Sequence, residues 1–209
     1  MEWSRLRAAC GAIGPAAFTA AWAASTARQS GYSIRDEHIS GLAAPDAEAP
    51  HVMTTGFLAL GSCGLLFAEE LYRRLGGDRR AGIGPWLLGL SSLAMIGAGV
   101  LRRDRMSNVP PPGEPEGQSL VNDLHDLAAV AGSGAGVLGM LALAGRFRGD
   151  PEWTSLALPA AIGGLASGTL MVYFATDVTR PGNGVVQRVA VSIPLGFMAA
   201  TAARMLRRS

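Results

Sequence analysis

Hydrophobic residues in this chain fall into six blocks of roughly 20 positions, the length at which a helix rising 1.5 Å per residue crosses about 30 Å of hydrocarbon. The blocks cover 6–27, 51–72, 83–101, 123–145, 153–175 and 185–206, and Arg, Asp, Pro and Gly gather between them. This pattern predicts an all-α fold, a six-transmembrane helix bundle forming one integral membrane domain over 1–209. Arg5 and Arg7 precede the first block as they would a signal peptide, yet its length and the five blocks behind it predict a retained span.

Composition agrees with the pattern. Of 209 residues 49% are hydrophobic and 16% charged, the balance of a membrane protein. All 18 basic residues are arginine, and eleven fall at the two ends and in the second and fourth loops. The positive-inside rule therefore puts both termini in the cytoplasm and the first, third and fifth loops outside. The absence of lysine fits a GC-rich bacterial gene, so the expected location is a bacterial cytoplasmic (inner) membrane. A net charge of +2 distributed this way reports topology and implies no nucleic acid partner. The tryptophans and tyrosines lie near span ends, where amphipathic rings settle.

Packing between such helices relies on small residues. Gly132 with Gly136, Gly164 with Gly168, and the set Gly56, Gly61 and Gly64 form seams for close backbone approach. Pro15, Pro159 and Pro194 predict local bends. Cys10 and Cys63 fall inside spans and read as small apolar residues, with no disulfide indicated.

The polar residues divide unequally. At the cytoplasmic end Glu69 and Glu70 precede Arg73 and Arg74 by four positions, a spacing for ion pairs on one helical face. The outer end collects all three histidines and most of the carboxylates. Its first loop contains Tyr32, Asp36, Glu37 and His38, with Ile34, Ile39 and Leu42 able to anchor a short helix on the membrane surface. The third block ends in Arg102, Arg103, Asp104 and Arg105, and Pro110, Pro111, Pro112 and Pro115 then predict an extended turn. Asn122, His125 and Asp126 share a face at the start of the fourth block, and Gln187 and Arg188 open the sixth.

Charge at membrane depth is costly, so it turns into a bundle and finds partners. An outer pocket follows, in which Arg188 neutralises Asp104 or Asp126 while His125 exchanges protons near neutral pH. A structural reading stands beside this one: Asp123 and Asp126 fit helix capping, the run 36–38 fits a solvated loop, and His51 fits an interfacial residue. Imidazole and carboxylate could bind zinc, but the HExxH and HxxxH spacings are missing, so no metal or other cofactor is expected. Gly76, Gly77 and Asp78, like Gly182, Asn183 and Gly184, are turn chemistry without the spacing of a phosphate loop.

The motifs Gly31-Tyr32-Ser33, Ile39-Ser40-Gly41-Leu42, Gly99-Val100-Leu101 running to Asp104, Leu124-His125-Asp126 and Gln187-Arg188 occur in an order that resembles the bacterial membrane family known as domain of unknown function 998. The resemblance covers almost the whole chain. That family has an aromatic or Phe-Pro-Thr-Asp-like segment where this chain has Leu101-Arg102-Arg103-Asp104, so only Asp104 carries over. It implies a six-helix membrane fold and assigns no reaction.

The functional expectation is an enzyme acting on a lipid-like or isoprenoid substrate by acid/base chemistry, such as proton-initiated cyclisation or isomerisation. Asp36, Asp104, His125 and Asp126 are its proton-handling residues, and Tyr32, Glu37, His38, Asn122, Gln187 and Arg188 its substrate contacts. The alternatives are a lipid-binding or accessory protein whose polar cluster is structural, and a small transporter. Partners are then membrane lipids or a hydrophobic small molecule. A carboxyl pKa raised by desolvation would be the signature of the acid mechanism.

Overall fold

The computed structural model describes residues 2–76, 79–108 and 118–207. Six helices make up nearly all of it: α1 Glu2–Arg28, α2 Pro50–Arg74, α3 Arg79–Val100, α4 Leu120–Arg148, α5 Ala157–Thr176 and α6 Asn183–Arg207. No strand occurs among the described residues. Among the described residues five stretches are long and apolar enough to cross a membrane: α2, α4, α6, the Gly82–Val100 part of α3, and Thr154–Thr176, which adds a 3₁₀ turn to α5. At 27 residues α1 has the length, but its composition is less apolar.

Each helix packs against its neighbours in sequence, and α6 returns to pack against α1, so the six close into a ring. Glycine makes the approach possible along α2. A Cβ at Gly56 would meet Ala21 of α1 at 2.5 Å, and one at Gly61 would meet the Ser92 carbonyl of α3 at 2.6 Å. The predicted seams on α4 and α5 pack similarly, with Gly132 and Gly136 against Ser91 and Ala94, and Gly164 and Gly168 against α4 side chains. The exterior carries Leu90, Leu93, Leu127, Val130, Ile162 and Leu165, all exposed. A water-soluble monomer would not leave so much apolar surface uncovered.

The predicted proline in α6 has a visible consequence. Pro194 has no N–H to offer the Ala190 carbonyl one turn back, and Ser167 Oγ of α5 donates to that oxygen instead, at 2.8 Å. A backbone irregularity in one helix is thus satisfied by a side chain of the next. Cys10 of α1 and Cys63 of α2 are free thiols.

One end of the ring is fastened by a charged knot. Glu70, buried on α2, accepts from Arg74 Nε at 3.0 Å and from Ser4 Oγ of α1 at 2.5 Å, while Arg74 Nη1 donates to the Met205 carbonyl of α6 at 2.9 Å. Glu69 and Arg73 form the expected neighbouring pair at 2.7 Å. The ends of α1, α2 and α6 are joined here by one arginine.

Three expectations need correction. Trp153 is not an interfacial ring: it is buried and stacked on Phe147 with centroids 5.1 Å apart. Trp22 lies beneath the Arg188 guanidinium, 5.5 Å from its ring centre. The first loop does not lie on the surface as an amphipathic helix. It turns at 33–37 and then enters a 3₁₀ helix, Ile39–Ala43, whose Ile39 and Leu42 are buried among Phe18, Met53 and Phe57. Burying them against the helix ends removes more apolar surface than the interface would. The proline run at 110–115, Gly77, Asp78 and Arg208 lie outside the described residues.

Candidate functional site

The other end of the ring is closed by a polar cap made from the 29–49 loop, residues 101–108 and the α5–α6 turn. Gly182, with φ +88, makes the turn that starts α6. Asn183 and Gly184 follow, and Gly184 leaves room for the first loop: a Cβ there would sit 2.6 Å from the carbonyls of both Ile34 and Glu37.

Arg188 anchors this loop. It is 8% exposed, and its Nη1 donates to the carbonyls of Ile34 at 3.0 Å, Glu37 at 2.9 Å and Gly184 at 2.9 Å, while Nη2 donates to Tyr32 Oη at 2.5 Å. Tyr32 Oη in turn donates to the His38 carbonyl at 2.9 Å. Burial raises the pKa of the Tyr32 phenol despite the nearby Arg188, so it remains the donor this chain requires. The expected pairing of Arg188 with Asp104 or Asp126 is not formed. Its charge is spread over main-chain oxygens and two aromatic faces instead.

Arg103 is the residue the sequence did not single out. It is 7% exposed, and its Nη1 reaches Asn108 Oδ1 at 2.8 Å and His38 Nδ1 at 3.3 Å. Burial lowers its pKa, against the attraction of Asp126, Glu37 and Asp104. His38, itself buried, donates from Nε2 to the Val178 carbonyl at 3.0 Å and packs on Phe174. Nδ1 therefore accepts from Arg103, which fixes a neutral imidazole. Burial and the Arg103 charge push its pKa down to about 4.

Because His38 binds a proton less readily when folded than when unfolded, its contribution to stability is complete above about pH 6.5 and lost as pH falls towards 4. The loss amounts to about 3 kcal/mol. Thermal melting in detergent across that window should show this slope, and His38→Gln should flatten it; an unchanged slope in the variant would refute the assignment.

The carboxylates of the cap bind backbone and neighbouring polar groups. Asp36 accepts from Gly182 N at 2.7 Å, and that bond, with Ser33, holds its pKa below the ordinary range. Glu37 accepts from Asn108 N at 3.1 Å and Ser107 Oγ at 3.2 Å. Asp104 accepts from both Oγ and N of Ser119, the N-cap of α4, and these bonds lower its pKa. Asn122 links the two chain segments, accepting from Asp104 N at 3.1 Å and donating to Asp126 Oδ2 at 3.0 Å. At Asp36 and Asp104 the shift runs opposite to the raised pKa that acid catalysis calls for. Among the described residues no three His, Cys, Asp or Glu side chains converge as a metal site.

Beneath the cap lies a cavity of about 140 Å³ at the centre of the ring, bounded by residues of all six helices. Its wall is mainly apolar, with Phe18, Phe57, Met95 and Met198 among its larger residues. Two residues expected at the site reach it, His125 and Gln187, both at its capped end. His125 is 1% exposed, and its Nδ1 lies 2.9 Å from the Ala98 carbonyl and 2.6 Å from the Leu101 carbonyl. Carbonyls only accept, so Nδ1 carries the proton of the neutral ring and Nε2 keeps a lone pair, with no protein donor on it. Gln187 Oε1 accepts from Ile39 N at 2.8 Å, which leaves its NH₂ group without a protein acceptor. Asp36, Asp104, Asp126, Glu37, His38, Asn122, Tyr32 and Arg188 stand outside the cavity wall, in the cap.

Fold and site together define a multi-pass helical membrane protein with a central apolar cavity beneath a polar cap. The model of the family described as "Protein of unknown function (DUF998)" matches residues 12–204, and the chain belongs to that family. No curated protein and no solved structure matches it.

Proposed function

We propose that this protein spans a bacterial cytoplasmic membrane six times, with both termini in the cytoplasm, and takes an apolar membrane-soluble molecule into its central cavity. The carrying observation is the cavity itself: apolar walls with a few convergent polar groups are the usual form of a small-molecule site. Inclusion of α1 as a span is supported by its length and by its seat in the ring between α2 and α6. The arginines at the Arg74 end of the ring support the orientation. Alkaline phosphatase fused to the C-terminus should then be inactive and a fluorescent protein fused there bright; the reverse would sink the topology.

Binding is favoured over the proton-initiated cyclisation considered from the sequence, because the cavity wall contains none of the three aspartates that would supply the proton. A narrower enzymatic reading survives through the His125 lone pair, which could serve as a general base towards a bound molecule. Mass spectrometry of material copurified in mild detergent tests the binding reading. One lipophilic species should be enriched with the wild type and lost from Ser133→Phe, which fills the cavity from α4. The outward-facing Leu127→Phe should retain it. Equal extracts from all three would reject the reading.

A further inference from the structure

We infer that the molecule held in the cavity carries an uncharged hydroxyl at its buried polar end, that is, an alcohol on a compact hydrocarbon body. This rests on the binding reading above and adds the chemistry of the ligand.

At the capped end of the cavity His125 and Gln187 offer one acceptor and one donor. His125 Nε2 is the acceptor, since both acceptors at Nδ1 require the ring proton there. The Gln187 amide is the donor, since the backbone N–H of Ile39 dictates that its oxygen points away towards that bond. The wall also carries the hydroxyls of Ser40, Ser91, Ser92, Ser133 and Ser167, of which Ser92 and Ser167 donate at 2.8 Å to the carbonyls of Leu88 and Ala190. A hydroxyl adapts to either role, whereas His125 Nε2 can only accept and the Gln187 amide NH₂ can only donate, so the fixed demands on a ligand lie where these two meet the cavity.

Charge is absent from that wall. Neither an arginine nor a carboxylate lines the cavity. The nearest buried guanidiniums are occupied, that of Arg188 by three carbonyls and Tyr32, and that of Arg103 by His38 and Asn108. A carboxylate, phosphate or ammonium would enter without a counterion, at a desolvation cost that neutral groups escape. Among neutral groups a hydroxyl both donates and accepts through one atom. It would donate to His125 Nε2 and accept from the Gln187 amide. A ketone satisfies only the amide, and a hydrocarbon neither.

Size limits the body. A cavity of about 140 Å³ is close to the roughly 150 Å³ that holds a benzene molecule, so about six carbon atoms fit with the hydroxyl. Cyclohexanol is therefore a suitable probe, with methylcyclohexane, cyclohexanone and cyclohexanecarboxylate for comparison.

The test uses the intact protein in lipid nanodiscs, with saturation-transfer NMR read at equal probe concentration in the membrane. Cyclohexanol should bind about tenfold more tightly than methylcyclohexane, the worth of two modest hydrogen bonds, and about threefold more tightly than cyclohexanone, which keeps one of them; the carboxylate should not bind. Gln187→Met and His125→Phe should each reduce the preference of alcohol over hydrocarbon, and Ser133→Phe should abolish binding of both. Equal binding of cyclohexanol and methylcyclohexane would overturn the hydroxyl inference while leaving the cavity reading standing. Tighter binding of the carboxylate would overturn the inference as well. Failure of every probe, with Ser133→Phe indistinguishable from wild type, would overturn both.

Discussion

Arg188→Ala should melt in detergent on the order of 10 °C below the wild-type protein, a loss of about 3–5 kcal/mol. The side chain is 8% exposed and donates to three main-chain oxygens and one phenol. Those carbonyls belong to Ile34, Glu37 and Gly184, the bond to Gly184 being buried and the other two partly buried. Each orphaned oxygen costs part of its desolvation, and the first loop loses the contact that seats it on α6. Arg188→Lys should recover less than half of the loss, because one ammonium cannot reproduce the planar fork. Limited proteolysis would then cut within 29–49 in the alanine variant and not in the wild type. A variant that melts with the wild type and resists the protease would show the cap to be held by other contacts.

The second large effect is expected at Gly61. A side chain there meets the Ser92 carbonyl at 2.6 Å, Ile96 Cγ1 at 2.5 Å and Ile96 N at 3.0 Å. Two of these are backbone atoms of α3, so rotamer changes cannot make the space. Gly61→Val must push α2 and α3 apart and forfeit the van der Waals contact that holds membrane helices together. A cost above about 3 kcal/mol follows, as for a badly overpacked core. Size-exclusion profiles should broaden or shift to aggregate, whereas Gly134→Val, where a Cβ meets nothing within 4 Å, should leave profile and melting unchanged. Equal behaviour of the two variants would argue against the seam.

The helices were legible because a span is a local property: twenty apolar residues announce themselves without reference to the rest of the chain. Predicted limits of 51–72 and 185–206 lie within α2 Pro50–Arg74 and α6 Asn183–Arg207. The burial of Arg188 was also legible, since a charge one turn inside a span has few alternatives. Its partners were not. Pairing rules look for opposite charge, whereas here the acceptors are carbonyls of a loop some 150 positions away, invisible to side-chain chemistry.

Arg103 illustrates the same limit. It stands in a non-helical run beside Arg102 and Arg105, where no periodicity distinguishes the inward residue. The aspartates were recognised as belonging to one end of the molecule, yet the division between cap and cavity depends on how the 101–108 segment folds back on Ser119 and Asn122. What reached the cavity were Gln187 and His125, the histidine bonded to two carbonyls at the end of the preceding helix.

The return of α6 to α1 has a consequence for how the protein is made. Helices leave the ribosome in order, so α1 waits with one side of its surface unmatched until the last helix has been inserted. α1 is also the least apolar of the six, so if it spans the membrane as proposed it is the helix worst suited to stand alone there. The chamber is walled by all six helices, so on the binding reading proposed above its loading would follow completion of synthesis.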